Sequence, residues 1–315
     1  MWRADPSQIV AAIILDLFVG DPRGWPHIAR LTGELSVRYE AILTQRHERS
    51  VTLGMVFWGL VTGTIFTFYA ISYYLFAMFG SGATWLLNTL IIYQAIAAMD
   101  LYRHVQAVLK PLAAGDLAEA RNRLARIVGR DTVNLAEPEI SRAAIESVAE
   151  SLTDGIIAPL FWSVIAGAPG ALVYRTANTL DSMVGHRIDA YEKFGKASAR
   201  IDDCLNWVPA RICALLFCLS HSARRWNMVR REAAAHASPN AGWSESAMAY
   251  ALGVRLGGDN HYDGQCVRGP VFNPSGRIAD TADIARSLNW MWRIAGACAG
   301  LLLLVSFCLN HLHSR

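Results

Sequence analysis

Charge is scarce in this chain: only 17% of its 315 residues are Asp, Glu, Lys or Arg, against 53% hydrophobic residues and a positive mean hydropathy. A soluble fold of this length does not bury that much apolar side chain, so the chain reads as a polytopic membrane protein. What charge there is nearly cancels, at +3, and no Lys/Arg stripe interleaved with aromatics appears. That excludes a nucleic-acid partner. C-x-x-C is absent; Cys204, Cys213, Cys218, Cys298 and Cys308 lie in or beside apolar runs, and only Cys266 lies in a clearly polar loop. This pattern argues against a disulfide frame or a zinc site and for reduced, packed thiols. G-x-x-x-x-G-K-[ST] is missing, and Gly257-Gly258 is not a dinucleotide fingerprint. No internal repeat is evident. The first apolar run, Ile9–Gly20, is broken by Asp16 and lacks a basic region leading to a cleavage site, so it reads as a retained anchor or re-entrant helix.

Long uncharged runs are what the chain has instead. From Val51 to Met99 there is no Asp, Glu, Lys or Arg, enough for two crossings of about 20 residues each, with Gly80-Ser81-Gly82 as the turn. Tyr69, Tyr73, Tyr74 and Trp85 are placed for the membrane interface. Gly155 to Tyr174 is likewise uncharged but holds Pro159 and the break Gly167-Ala168-Pro169-Gly170, which predicts a broken or re-entrant helix. A further run follows Trp207, and residues 294–313 make a final crossing. The expectation is an all-α, multi-pass protein of about five transmembrane or re-entrant helices by length. It is read as one membrane domain over 1–315, with the polar loops 21–50, 100–154, 175–203 and 221–293 packed on it.

The stretch Arg142–Gly155 organises the polar part. As a helix it aligns Ile140, Ala144, Val148 and Leu152 on one row and Arg142, Glu146, Glu150 and Asp154 on another. Taken alone, the second row is a solvated face with an Arg142–Glu146 ion pair. Its place at the mouth of an apolar segment points to function. Asn178, Asp181 and Ser182 share a helical face, as do Asp202 or Asp203 with Asn206, and both groups sit at the ends of apolar runs, where unpartnered burial is costly. Arg211, inside an apolar run, is expected to be paired or substrate-facing, most simply with Asp202, Asp203 or another carboxylate of the set. Arg121, Arg123, Arg126 and Arg130 could hold an anion or face lipid headgroups. The 146–154 row and the Asp181 group are expected to line one pocket.

The motifs GDPRGWPHIARLTG, VGRDT, IESVAESLTDGIIAPLF, NTLDSMVGHR, YEKFGKASARIDDCLNWVPAR and SPNAGWSESAMAYALGVRLGG, in order from residue 15 to about 265, resemble those of the CbiB/CobD family, the membrane-bound adenosylcobinamide-phosphate synthases. Departures from the family pattern fall at Ile28, Ser151, His186-Arg187 and Ser244.

The resemblance implies an ATP-dependent ligase that joins aminopropanol or its phosphate to the free propionate of adenosylcobyric acid, with Mg²⁺. Such a reaction makes the carboxylate oxygen a leaving group by phosphorylation, which needs positioning and charge neutralisation. On that reading Glu146, Glu150, Asp181 and Asp203 are the catalytic candidates. Glu150, Asp154, Asn178, Asp181, Asp202 and Asn206 are the metal-ligand candidates. Arg130, Arg200, Arg211, Lys193 and Asn240 are the candidates for holding ATP or the propionate, and His27 and His186 are further possible bases. The corrinoid calls for an apolar cavity with aromatic walls such as Trp162 and Trp207. The implied partners are the two substrates, the lipid bilayer and other membrane enzymes of the corrinoid pathway, and the implied location is the bacterial inner membrane. Two rivals remain: a non-catalytic AmpE-like signalling relative, and a corrinoid or amine transporter, which would be expected to show repeat-related halves.

Overall fold

The structure is a computed structural model that describes residues 5–22, 24–185 and 191–313. In chain order the helices are α1 (Pro6–Val19), α2 (Ile28–Thr44), α3 (Val51–Ala77), α4 (Ser81–Ala95), α5 (Ala98–Ala113), α6 (Leu117–Leu124), α7 (Glu137–Leu152), α8 (Ala158–Val184), α9 (Lys196–His221), α10 (Trp226–Ala233), α11 (Ala241–Leu252) and α12 (Thr281–His313). Between α11 and α12 lie two small antiparallel pairs, β1 (Leu256–Gly257) with β4 (Val271–Phe272), and β2 (Asn260–Tyr262) with β3 (Gln265–Val267). The sequence reading treats this stretch as turns. The pairs are too short to bury a face, which is why no strand periodicity announces them.

Five helical runs are long and apolar enough to cross a membrane: Val51–Ala77, Ser81–Ala113, Glu137–Val184, Lys196–His221 and Thr281–Leu309. The protein is thus an all-α, multi-pass membrane protein. Helix α3 shows why: its 27 residues reach about 40 Å at 1.5 Å per residue, more than the ~30 Å of hydrocarbon. Met55, Leu60, Phe68, Ile71 and Tyr74 on it are exposed, a face that water would penalise and lipid covers. Helix α1, with 14 residues, is too short to cross and stops at Gly20. Helix α12 begins at Thr281, ahead of the apolar run that marks its crossing.

The chain divides into two compact units: Met1–Ala97, Ala158–Asn206 and Leu301–Arg315 form one, Ala98–Ile157 and Trp207–Gly300 the other. In the first, α8 packs on α2, α3 and α4. Phe57, Val61, Leu180, Val184 and Phe194 make a fully buried cluster there, with the Phe57 and Phe194 rings 4.9 Å apart. Tyr69, expected at the membrane interface, is buried and donates to Asn88 Oδ1 at 2.9 Å, because a phenol inside a helix pair needs an acceptor. In the second unit α5 buries Leu101, Val105, Val108 and Leu112, at helical spacing, while α7 packs on α5, α6 and α11.

The run after Gly155 is broken, as its Pro and Gly residues predict. A π-helical turn over Thr153–Ile157 separates α7 from α8, and α8 is itself interrupted at Ala166 (φ −133°) and Gly167 (φ 64°, ψ −155°). Gly167 takes the positive φ that a side chain would resist. Pro169 beyond it has no N–H to leave unpaired across the break. The six cysteines are free; Cys213, Cys218 and Cys298 are buried, but Cys204 and Cys308 are exposed rather than packed, since an apolar neighbourhood in sequence does not say which face of the helix a thiol takes.

Candidate functional site

Helix α7 begins with Pro138 in its first turn and Glu139 capping back to the Ala136 N–H at 2.8 Å. From there Arg142, Glu146 and Glu150 fall on one row. The middle of that row is not solvated: Glu146 is 5% exposed. Its Oε2 accepts from Arg130 Nη2 at 2.5 Å, and its Oε1 accepts from the Gly257 N–H at 2.7 Å and, more weakly, from Arg142 Nη1 at 3.4 Å. Arg142 Nη1 also donates to Gly257 O at 2.7 Å. Asn260 Oδ1 receives both guanidiniums, Arg130 Nη1 at 2.7 Å and Arg142 Nη2 at 3.0 Å. Each charge is therefore partnered, and the pair of arginines is held apart by one carboxylate and one amide oxygen.

Two local devices place these groups. In the VGRDT motif, Asp131 accepts from Gly264 N–H at 2.8 Å and donates its own N–H to His261 O at 2.8 Å, tying the β2–β3 hairpin to the loop that carries Arg130. Gly257 sits at φ 74°, and a Cβ there would lie 2.1 Å from Pro270 O. Only glycine combines that backbone with the approach to Glu146. Gly257→Ala is accordingly expected to destabilise the protein by roughly 2 kcal/mol or more; an unchanged melting temperature in detergent would contradict the placement.

The lattice forms one wall of a cavity of about 270 Å³, also lined by Glu150, Glu245, His236 and Phe272. Glu245, 8% exposed, is the one charged residue of α11. Burial, with Glu146 and Glu150 nearby, pushes its carboxyl well above the usual carboxylate range. His236 Nδ1 lies 3.0 Å from the Ser238 N and 3.2 Å from the Ser238 O, and burial lowers its pKa. Its Nε2 is 3.9 Å from Glu245 Oε1. The folded state thus holds a proton on Glu245 that the unfolded chain has lost above the ordinary carboxylate range, so this group's contribution to stability falls as pH rises. Glu245→Gln is expected to remove that slope: its gain in melting temperature over the parent should grow from pH 5 to pH 8. A gain that is constant with pH would remove Glu245 as its source.

In the first unit the acid and amide residues form a different network. Asp202, 8% exposed, accepts from Asn206 Nδ2 at 3.0 Å and from Asn178 Nδ2 at 3.3 Å, while Tyr174 donates its hydroxyl to Asn206 Oδ1 at 2.9 Å. Asn206, expected as a metal ligand, accepts the Tyr174 hydroxyl at Oδ1, which leaves that oxygen a second lone pair. Asp181 and Asp203 are half-buried beside this network, and Lys193 and Arg200 are exposed. His27 caps α2 through its Nδ1, 3.2 Å from the Ala29 N–H. Arg23 and His186-Arg187 lie outside the described residues.

Arg211 is held without an ion pair among the described residues. It belongs to the second unit and takes no carboxylate among its described partners: it donates to Trp207 O at 2.7 Å and Asn240 Oδ1 at 3.2 Å, and its guanidinium stacks on the Trp207 and Trp243 rings at 4.2 and 4.9 Å. Two indole faces and carbonyl dipoles stabilise the cation in place of a counter-charge. Asn240, expected at a cofactor, is buried and spends its side-chain oxygen on Arg211. Asp154 lies in the π turn of the second unit. Among the described residues no three His, Cys, Asp or Glu side chains converge as a ready-made metal site.

The chain matches the model of one protein family, CobD/Cbib protein, over residues 9–291. The chain belongs to the CobD/CbiB family. Among CobD/CbiB relatives, a cobalamin biosynthesis protein CobD from Halalkalibacterium halodurans is 41% identical over 310 residues, 95% of this chain and 96% of the relative. One from Klebsiella pneumoniae is 39% identical over 311 residues, again 95% and 96%. The cobalamin biosynthesis protein CbiB of Salmonella typhimurium is 38% identical over 310 residues, 94% and 96%. No solved structure matches the chain. The CobD/CbiB match spans both the α7 lattice and the Asp202 network.

Motif reading of this CobD/CbiB chain finds Arg130, Glu146 and Glu150 but leaves Arg142 as a mere ion-pair partner and leaves Glu245, His236, Gly257 and Asn260 out of the site. For Glu245 a signal was present: a lone carboxylate in the otherwise uncharged AGWSESAMAYAL. The other three carry no local mark.

Proposed function

We infer that this protein acts in cobalamin biosynthesis as an ATP-dependent amide-forming ligase, joining aminopropanol or its phosphate to the free propionate of adenosylcobyric acid. The observation that carries the reading is the cleft of the second unit, where the largely buried Arg130 and three glutamates line a small cavity, with Arg142 behind them on Glu146. A structural ion pair has no use for the two further carboxyl groups, Glu150 and Glu245. Family membership and the printed names of the relatives supply the pathway.

The chemistry runs in two displacements. A propionate oxygen attacks the terminal phosphorus of ATP, the bond to ADP breaks, and an acyl phosphate forms. The amine nitrogen then attacks the acyl carbon, the carbon–oxygen bond to phosphate breaks, and the amide remains. An ammonium must lose one proton before this attack and one after it; Glu150, exposed at the cavity, is the group placed to accept a proton and pass it to solvent. Arg130 and Arg142 hold Glu146 and the Gly257 backbone rigid, so that little reorganisation is needed as charge moves. Magnesium fits this chain as an ion carried by the nucleotide phosphates and met by one or two carboxylates, which is its usual habit, and there it would neutralise the transferring phosphoryl group. The membrane would be the bacterial inner membrane, where a nucleotide is available on the cytosolic side.

The test is to incubate the purified full-length protein with adenosylcobyric acid, aminopropanol phosphate, ATP and Mg²⁺ and to follow the corrinoid by mass. The expected result is a mass gain of one amine minus water together with ADP release. Accumulation of unmodified corrinoid or amine inside proteoliposomes, with no amide formed, would replace the reading with transport; neither event would leave a non-catalytic relative.

A further inference from the structure

We propose that the cavity beside Glu150 and Glu245 is the seat of the amine substrate, which it takes as a small primary ammonium held by those two carboxyl groups. This rests on the ligase reading and assigns one of its three substrates to a place.

Size comes first. About 270 Å³ is at or below the lower end of ordinary ligand pockets. It accommodates aminopropanol or the amine end of its phosphate, whereas a corrinoid can offer such a space only the tip of one side arm.

The state of the donors comes second. The terminal nitrogens of Arg130 and Arg142 are committed to Glu146, Asn260 and backbone oxygens. A phosphate entering here would have to displace partners that are already charge-complementary. Both oxygens of Glu146 are likewise taken. Glu245 differs: it is more than nine-tenths buried, it lines the cavity, and no hydrogen bond to it is formed among the described residues. Its nearest ionisable nitrogen, His236 Nε2, stands off at 3.9 Å, outside hydrogen-bond range. A buried carboxyl without a donor is costly. An ammonium, with three N–H donors and no acceptor, is the complement of what Glu245 and Glu150 lack.

Charge comes third. By formal charge, Arg130 and Arg142 offset Glu146 and Glu150 before Glu245 is counted. Ionising Glu245 leaves one negative charge, which a single ammonium neutralises. A bare divalent ion would need near-octahedral oxygen ligation, and the described residues do not assemble three metal-ligating side chains.

The experiment is a calorimetric titration of the full-length protein in detergent, without nucleotide or metal. The probes are 1-amino-2-propanol, its O-phosphate, propane-1,2-diol as the uncharged isostere, and MgCl₂. Binding by at least one of the amines and none by the diol is expected. Glu150→Gln and Glu245→Gln are each expected to weaken the amine about tenfold or more, about 1.4 kcal/mol, and MgCl₂ is not expected to displace it. In turnover both variants should raise KM for the amine and leave KM for the corrinoid in place. Since Glu150 is exposed, its variant decides the matter should the Glu245 variant fail to fold. The proposal is overturned if neither the binding of the amine nor its KM depends on either glutamate, or if MgCl₂ binds through them and excludes the amine. Amide formation with an unchanged amine KM would sink this placement alone, whereas amine binding through both glutamates without amide formation would sink only the ligase reading.

Discussion

Glu146→Ala is expected to destabilise the protein by about 3–5 kcal/mol and to abolish amide formation. Glu146 is the single acceptor common to Arg130, Arg142 and the Gly257 N–H. Its removal leaves two largely buried guanidiniums, 11% and 16% exposed, pointing at one amide oxygen of Asn260. Like charges there repel with no carboxylate between them, and the β1 backbone loses its anchor. The apparent melting temperature in detergent should drop by roughly 6 °C or more. Glu146→Gln keeps an acceptor for Gly257 but loses the charge, so its loss should be smaller. A Glu146→Ala protein that melts within a degree of the parent would show that the lattice is not what holds the cleft.

Asp202→Ala has the second largest expected effect, in the other unit and for a different reason. Asp202 is the acceptor for two amide groups, Asn178 Nδ2 and Asn206 Nδ2, on helices that cross the membrane. Without it both lose their acceptor where water is scarce, at about 1–3 kcal/mol for each group. Asp202→Asn is hardly milder, since its own NH₂ must face one of two NH₂ groups and can satisfy only the other. A double-mutant cycle with Asn206→Ala checks this: Asn206 should contribute far less once Asp202 is gone, with a coupling of roughly 0.5–3 kcal/mol. Additive losses would mean that the three side chains do not act as one network.

These two variants also show what a sequence can and cannot display. Uncharged runs and the Pro/Gly break after Gly155 are local, so the crossing helices, the broken α7–α8 run and the Arg142–Glu146–Glu150 row are legible from spacing alone. The Asp202–Asn206 bond spans one helical turn and is legible for the same reason. The partners that decide the site lie far along the chain: Glu146 meets Arg130 across 16 residues, Gly257 across 111, and Arg130 reaches Asn260 across 130. Periodicity has no access to such pairs. For Arg211 the requirement that a cation in an apolar run be stabilised is sound, while the means, two tryptophan faces and an asparagine, is one of several that meet it equally well. Family motifs locate which segments carry chemistry, and geometry then shows Glu150 and Glu245 facing a cavity while Asn206 and Asn240 are hydrogen-bonded to neighbouring side chains.

The most direct measurement starts from adenosylcobyric acid carrying heavy oxygen in its free propionate and follows that label through one turnover with the amine, ATP and Mg²⁺. Activation by phosphoryl transfer requires one labelled oxygen to appear in the inorganic phosphate for each amide made, and none in the nucleotide. Label in AMP, or label-free phosphate accompanying amide formation, would contradict the acyl-phosphate route assigned to the cleft.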